Sequence, residues 1–141
     1  MKFKSITMEN FMRYKGVNTI EFSCDPGKNV TVVLGDNTVG KTTIAQAFRF
    51  GLYGAVNMEK WKNADDYQLL NNDVLAFMDA DSKAAVSVTI VAADEEKQYT
   101  ICRKTIYSRN YPQMTCREFQ KKVSMKIADL QAPDVVTEVD E

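Results

Sequence analysis

Val30-Thr31-Val32-Val33-Leu34-Gly35-Asp36-Asn37-Thr38-Val39-Gly40-Lys41-Thr42-Thr43 decides how the rest of the chain is read. Its first five residues are nearly all apolar and β-branched, the texture of a central strand buried on both faces. Gly35 ends that run. A helical pattern opens near Gly40, with Ile44, Ala47, Phe48 and Leu52 at i, i+3, i+4 and i+8, and Gly54 stands where a left-handed C-terminal cap is expected. Between strand and helix, residues 35–42 fit G-x-x-x-x-G-K-[ST] at every fixed position.

The chemistry explains that spacing. A loop wrapped around a phosphate must aim several backbone N–H groups inward, and glycines tolerate the angles this requires. The helix that follows adds the partial positive charge of its N-terminus. Lys41 can reach terminal phosphates as a point charge, and the Thr42 hydroxyl is placed to ligate Mg²⁺, which takes oxygen ligands. The expected nucleotide contacts are therefore Gly35, Asp36, Asn37, Thr38, Val39, Gly40, Lys41, Thr42 and the adjoining Thr43, with Thr42 as the metal ligand. The competing reading is a glycine turn before an ordinary helix. An apolar strand running in and an amphipathic helix running out favour the phosphate loop. ATP and Mg²⁺ are the expected ligands.

Upstream, Ile6 and Met8 alternate with polar neighbours, and Ile20 and Phe22 repeat the pattern after a turn at Lys15-Gly16. Asp25-Pro26-Gly27 is a turn signal. Downstream, residues 55–64 read as a loop, and Asp65 to Met78 as a second helix with Leu69, Leu70, Val74 and Phe77 on one side. From Ala84 the period changes to two. Val86, Val88 and Ile90 alternate, then Tyr99, Ile101, Arg103, Thr105 and Tyr107, and Arg117 to Ile127 supplies one or two more strands. The expected fold class is α/β: a P-loop half-domain over residues 1–133 with an antiparallel β meander. Residues 134–141 are an acidic tail expected to fray.

Ile90-Val91-Ala92-Ala93-Asp94-Glu95 imitates the apolar strand ending in Asp-Glu that holds Mg²⁺ in many ATPases. That role would make the chain a self-contained P-loop ATPase or kinase, and a non-hydrolysing ATP-binding interaction module is the other alternative. Periodicity argues against the Asp-Glu role. The next alternating strand starts at Tyr99, whereas a parallel neighbour needs a crossover of about a dozen residues. Asp94-Glu95-Glu96-Lys97 is expected to be a hairpin turn, and the acid that orients water is assigned to no residue of the chain. All six glycines lie at or before Gly54, so no glycine-bearing switch or signature loop can follow the phosphate loop. With no N-K-x-D motif either, a small GTPase is excluded.

Composition closes other routes. Histidine is absent, which removes Ser-His and Cys-His nucleophiles. Cys24, Cys102 and Cys116 are widely spaced and suit a reducing compartment rather than a zinc site or disulfide framework. The net charge of −1 names no partner. No signal peptide or membrane-length apolar run is present, and a cytoplasmic location is expected.

Ile6-Thr7-Met8-Glu9-Asn10-Phe11, then Tyr14, Gly16 and Ile20-Glu21-Phe22, resemble the opening of the SMC (structural maintenance of chromosomes) and SMC-like ATPases. So do residues 30–48 and Leu52-Tyr53-Gly54. The similarity covers residues 1–54 and, loosely, Tyr99–Arg103. It implies the N-terminal nucleotide-binding lobe of an ABC-type head. A coiled coil would follow, then a C-terminal lobe with a Walker B acid and a glycine-rich signature, in the same chain or a separate one. Two heads would sandwich two ATP molecules and act on DNA in repair, maintenance or phage defence, with ATP hydrolysis a property of the full assembly.

By the same resemblance, Asn37 matches the asparagine inside the family's loop, and a basic residue near Arg13 approaches the nucleotide. The order here is Asn10-Phe11-Met12-Arg13, whereas Arg or Lys directly after Phe is commoner, so a solvated turn arginine is the other reading of Arg13. Gln113 and Gln131 are the candidates for a glutamine loop. Trp61 with Lys60 and Lys62 reads as a loop anchor or a DNA contact, and Lys121-Lys122 beside Arg117 as a solvated strand edge or a phosphate contact.

Overall fold

The computed structural model describes residues 1–36, 39–56, 68–132 and 136–140. Six strands form one antiparallel sheet in the order β2-β1-β3-β4-β5-β6. They are β1 (Lys2–Glu9), β2 (Val17–Glu21), β3 (Lys83–Ala93), β4 (Lys97–Asn110), β5 (Thr115–Asp129) and β6 (Val136–Asp140). Among the described residues two helices, α1 (Lys41–Tyr53) and α2 (Asn72–Ala76), accompany the sheet in an α/β arrangement. The period-two alternation sorts the sheet into two faces. Ile6, Met8, Val86, Val88 and Ile90 lie on the covered face and are almost fully buried. Thr7, Thr19, Ser87 and Glu9 lie on the other, where Thr7 and Thr19 share a hydroxyl contact at 2.9 Å and Ser87 meets Glu9 at 2.9 Å.

Helix α1 covers the apolar face. It buries Thr43, Ala47, Phe50 and Gly51, while Ile44, Phe48 and Leu52 flank that stripe. The buried face is thus rotated slightly from the one the sequence pattern marks. Phe50 packs on Phe11 at 5.6 Å between ring centres, and Phe48 on Phe3 and Phe22 at 5.1 and 5.7 Å. Gly51 sets how closely the helix approaches. A Cβ there would stand 2.6 Å from Ile90 Cδ1 and 3.1 Å from Val88, so glycine alone fits. Gly54 ends the helix in the left-handed conformation at φ +73°, donating its N–H to the Phe50 carbonyl at 2.8 Å.

Three expectations are corrected. Val30–Leu34 is not a buried central strand. It joins no ladder among the described residues, and Val30 and Leu34 are 74% and 86% exposed. The physical reason is that composition sets the texture of a strand but not its neighbours, and the six-stranded sheet, ordered β2-β1-β3-β4-β5-β6, does not include this run. The second helix spans only Asn72–Ala76, and residues 65–67 of the expected helix lie outside the described residues. Leu69 and Leu70 are buried but not helical, because Leu70 bridges to Phe11 and the Leu69 carbonyl accepts the Met12 N–H at 2.6 Å. Phe77, expected on the buried side, is 83% exposed under the Lys15 ammonium. Finally, part of the segment read as a frayed tail, Val136–Asp140, pairs with β5 as an exposed edge strand. Lys122–Asp140 and Lys126–Glu138 contacts accompany that pairing, and exposed pairs of this kind contribute little.

The meander matches the period-two reading. β3 and β4 pair from Lys83↔Ser108 to Ala93↔Gln98, and β4 pairs with β5 along its length. The Arg117–Ile127 region is one strand within β5, with a register shift opposite Ile106/Tyr107.

Candidate nucleotide-binding site

The loop begins where the exposed run ends at Gly35 and closes at Gly40, the N-cap of α1. Gly40 sits at φ +107°, a conformation that L side chains rarely adopt. As a glycine it offers no side-chain oxygen to the first turn, and no acidic residue lies in that turn. The leading N–H groups of the helix therefore keep their capacity for an external acceptor, and the helix dipole adds positive potential there. Lys41 opens the helix. Its ammonium donates to the carbonyls of Gly35 and Asp36, the latter at 2.6 Å, and so folds across the loop. Thr42 is exposed in the first turn, whereas Thr43 is only 6% exposed and faces the core. A Cβ on Gly35 would stand 2.7 Å from Val39 Cγ2, so the two ends of the loop press together. Asn37 and Thr38 lie outside the described residues, as do Lys60, Trp61 and Lys62.

A corner of irregular backbone supports the loop. Asn10 and Met12 have φ of 50° and 51°. The Asn10 side chain accepts the Gly16 N–H at 2.9 Å and donates to the Ala85 carbonyl at 3.1 Å, joining the β1–β2 connection to β3. Asn71, 6% exposed, donates to the Met12 carbonyl at 2.7 Å and accepts the N–H groups of Asp73 and Val74 as the cap of α2. The Asn-Phe pair of the family-like opening is thus a structural knot: Phe11 is fully buried and Asn10 stitches three segments. Tyr14, on the same corner, lays its ring on Gly40. Arg13 precedes it, is exposed, and takes no hydrogen bond or ion pair among the described residues.

Asp94 is far from this loop. The Tyr14–Gly40 contact lies beyond the Glu9 end of β1, and Asp94 lies beyond the Lys2 end, where Lys2 pairs with Ala93. The eight residues of β1 between them span about 25 Å. Asp94 is also committed to its own turn. One oxygen accepts the N–H groups of Glu96 and Lys97 at 3.0 and 2.7 Å, and the other accepts the Tyr99 hydroxyl at 3.1 Å. Those backbone bonds hold its carboxyl below the usual range. Of the glutamines, Gln113 is exposed in the β4–β5 turn, and Gln131 is exposed in the turn after β5 with its N–H on Asp129.

Two contributions were not marked as functional in the sequence. Tyr14 is one. Arg103 is the other: its Nε donates to the Gly51 carbonyl at 3.4 Å, and its guanidinium lies against Gly54. The last turn of α1 has no basic residue of its own, so Arg103 supplies positive charge at the negative end of the helix. An arginine in register with Tyr99, Ile101 and Thr105 on the covered face was the available signal. Cys116 is half-buried, and burial with Glu118 nearby pushes its thiol up to about 11, so it is no nucleophile at neutral pH.

A family model described as an AAA domain matches residues 5–135, and the chain belongs to that family of AAA-type P-loop ATPases, found in SMC-like proteins. Membership implies nucleotide binding and ATPase-type chemistry, and such domains typically bind ATP with Mg²⁺. No curated protein matches the chain. Among the described residues no helix is long and apolar enough to cross a membrane, and no cluster of Cys, Asp and Glu could hold a metal by itself.

Proposed function

We propose that the chain is the N-terminal nucleotide-binding lobe of an SMC-like ATPase, holding ATP and Mg²⁺ on residues 35–43 and working in DNA repair, maintenance or phage defence. The observation that carries this reading is the start of α1, where an N-cap glycine, a first turn free of acids and the Lys41 ammonium converge on one loop. These donors fit a polyphosphate: backbone N–H groups and Lys41 would bind it, and the exposed Thr42 hydroxyl would ligate the metal. Mg²⁺ would supply neutralisation of the charge on the terminal phosphates. Arg13, exposed beside Tyr14, would add a further positive group at the nucleotide.

The unladdered Val30–Leu34 run and the hairpin position of Asp94 both favour a lobe that completes its site with a partner. The partner would bring the Walker B acid and the signature loop, and a second head would close the nucleotide sandwich. A self-contained ATPase built on Asp94-Glu95 is disfavoured, because Asp94 serves a tight turn at the opposite end of β1.

The expected result is binding without turnover. Calorimetric titration of the purified chain should show ATP-Mg²⁺ binding, and a phosphate-release assay should show no hydrolysis above a protein-free control. Asp94→Asn should leave both results unchanged. Robust hydrolysis that Asp94→Asn abolishes would overturn the lobe reading in favour of the self-contained enzyme.

A further inference from the structure

We infer that Tyr14 is a positioning residue for the loop, holding Gly40 in the backbone conformation from which the first-turn N–H groups of α1 present themselves together. The inference rests on the reading of residues 35–42 as a phosphate site. It concerns a different question, namely what fixes the shape of a loop that closes on glycine.

Gly40 at φ +107° and ψ 8° occupies one of several wells open to a residue without a side chain. Within the described part of the loop nothing selects that well: Gly40 receives no side-chain cap bond, and Lys41 is turned toward the carbonyls of Gly35 and Asp36. Tyr14 does select it. Ring carbons and the hydroxyl oxygen lie 3.3 Å from the place where a Cβ would stand on Gly40, so the ring fills the side-chain space of residue 40. A large rotation of Gly40 would drive its backbone into that ring. The phenol also donates to the Gly40 carbonyl at 3.4 Å, the same carbonyl that accepts the Ile44 N–H at 3.3 Å as the helix begins.

Ring and hydroxyl do not weigh equally. A hydroxyl contact at 3.4 Å is long, so the packing of the ring carries most of the effect. The phenol is a protonated donor at neutral pH without any shift, and burial raises its pKa further. Tyr14 is itself fixed by the corner that carries it. Its N–H donates to the Phe11 carbonyl at 2.9 Å, and Asn10 and Asn71 bind that corner to β3 and to the segment before α2. Ordering a glycine loop before the ligand arrives removes an entropic cost from binding.

The test compares wild type, Tyr14→Phe and Tyr14→Ala by ATP-Mg²⁺ titration well below the lowest melting temperature, and by amide NMR spectra without nucleotide. Tyr14→Phe should bind within about threefold of wild type. Tyr14→Ala should bind about tenfold or more weakly, a loss of about 1.4 kcal/mol or more. The amides of Gly40, Lys41 and Thr42 should shift or broaden in the alanine variant and not in the phenylalanine one. Rescue by Phe with matched melting temperatures separates a positioning role from general destabilisation. If Tyr14→Ala does not fold, Tyr14→Leu takes its place with the same expectations. A folded ring-less variant that keeps wild-type affinity, or wild-type amide positions at Gly40–Thr42, overturns the inference. Should wild type fail to bind ATP-Mg²⁺, the phosphate-site reading falls, and the nucleotide-free spectra still decide whether Tyr14 fixes Gly40.

Discussion

Lys41→Ala is expected to weaken ATP-Mg²⁺ binding by about 100-fold or more while leaving the melting temperature within a few degrees of wild type. Truncating one partner of a charge-assisted contact typically costs about 2–5 kcal/mol, and 100-fold corresponds to about 2.7 kcal/mol. The fold should hardly notice. Among the described residues the Lys41 ammonium donates to the carbonyls of Gly35 and Asp36, on an exposed loop where water can replace it. Surface changes of this kind usually stay within about 0.5 kcal/mol. Calorimetric titration beside a thermal melt reads both quantities. An unchanged affinity would remove Lys41 from the site, and a collapsed melt would make it a structural residue instead.

A second large effect is expected from a complementary lobe. Val30, Val32 and Leu34 are 74%, 71% and 86% exposed, an apolar row that the six-stranded sheet does not use. Backbone and side chains there are suited to receive a neighbouring strand. A separately expressed C-terminal lobe carrying a Walker B strand, added at a hundredfold over its dissociation constant, would stabilise the chain by about 2.7 kcal/mol. For a domain of this size that is a rise in melting temperature on the order of 10 °C. Val32→Asp should leave the melt of the isolated chain nearly unchanged, because the side chain is already in water, yet abolish the shift. If the lobe stabilises wild type and Val32→Asp equally, it docks elsewhere. If it stabilises neither, the half-site reading fails.

Much of this was legible in the sequence where chemistry is local. The β3–β4 hairpin could be read because alternation on both sides leaves only a short charged turn at Asp94–Lys97. The limits of α1 could be read because Gly40 and Gly54 mark conformations that other residues avoid. What pattern cannot report is the partner. Val30–Leu34 has the composition of a buried strand, but burial depends on which strands stand beside it, and the six-stranded sheet does not include this run. Leu69 and Leu70 fit a helical face by spacing. Hydrogen bonds from Asn71 to Asn10 and from Met12 to Leu69 hold them extended instead, through contacts distant in sequence. The same limit hid Tyr14 and Arg103, whose roles exist only once the corner meets Gly40 and β4 meets the end of α1. Of the candidate nucleotide contacts, the sequence yielded Lys41 and Thr42 by motif, and the loop's support only by folding.

The order of strands also implies an order of events. β3, β4, β5 and β6 are successive neighbours separated by few residues in sequence, so each can join the sheet by closing a short loop in the entropic sense. β1 must instead bring Ile6 to Ile90 across an intervening chain that contains α1. Closing such a long loop is entropically expensive, and non-local pairings form slowly. The meander should therefore assemble first, and β1, the Asn10 corner and α1 should lock in together afterwards. In pulse-labelling hydrogen exchange during refolding, amides of β3–β5 should gain protection before those of β1 and α1, and simultaneous protection would contradict this sequence. A chain halted midway would hold a finished ribbon of strands and no competence for nucleotide, which makes binding a report on the last step of folding.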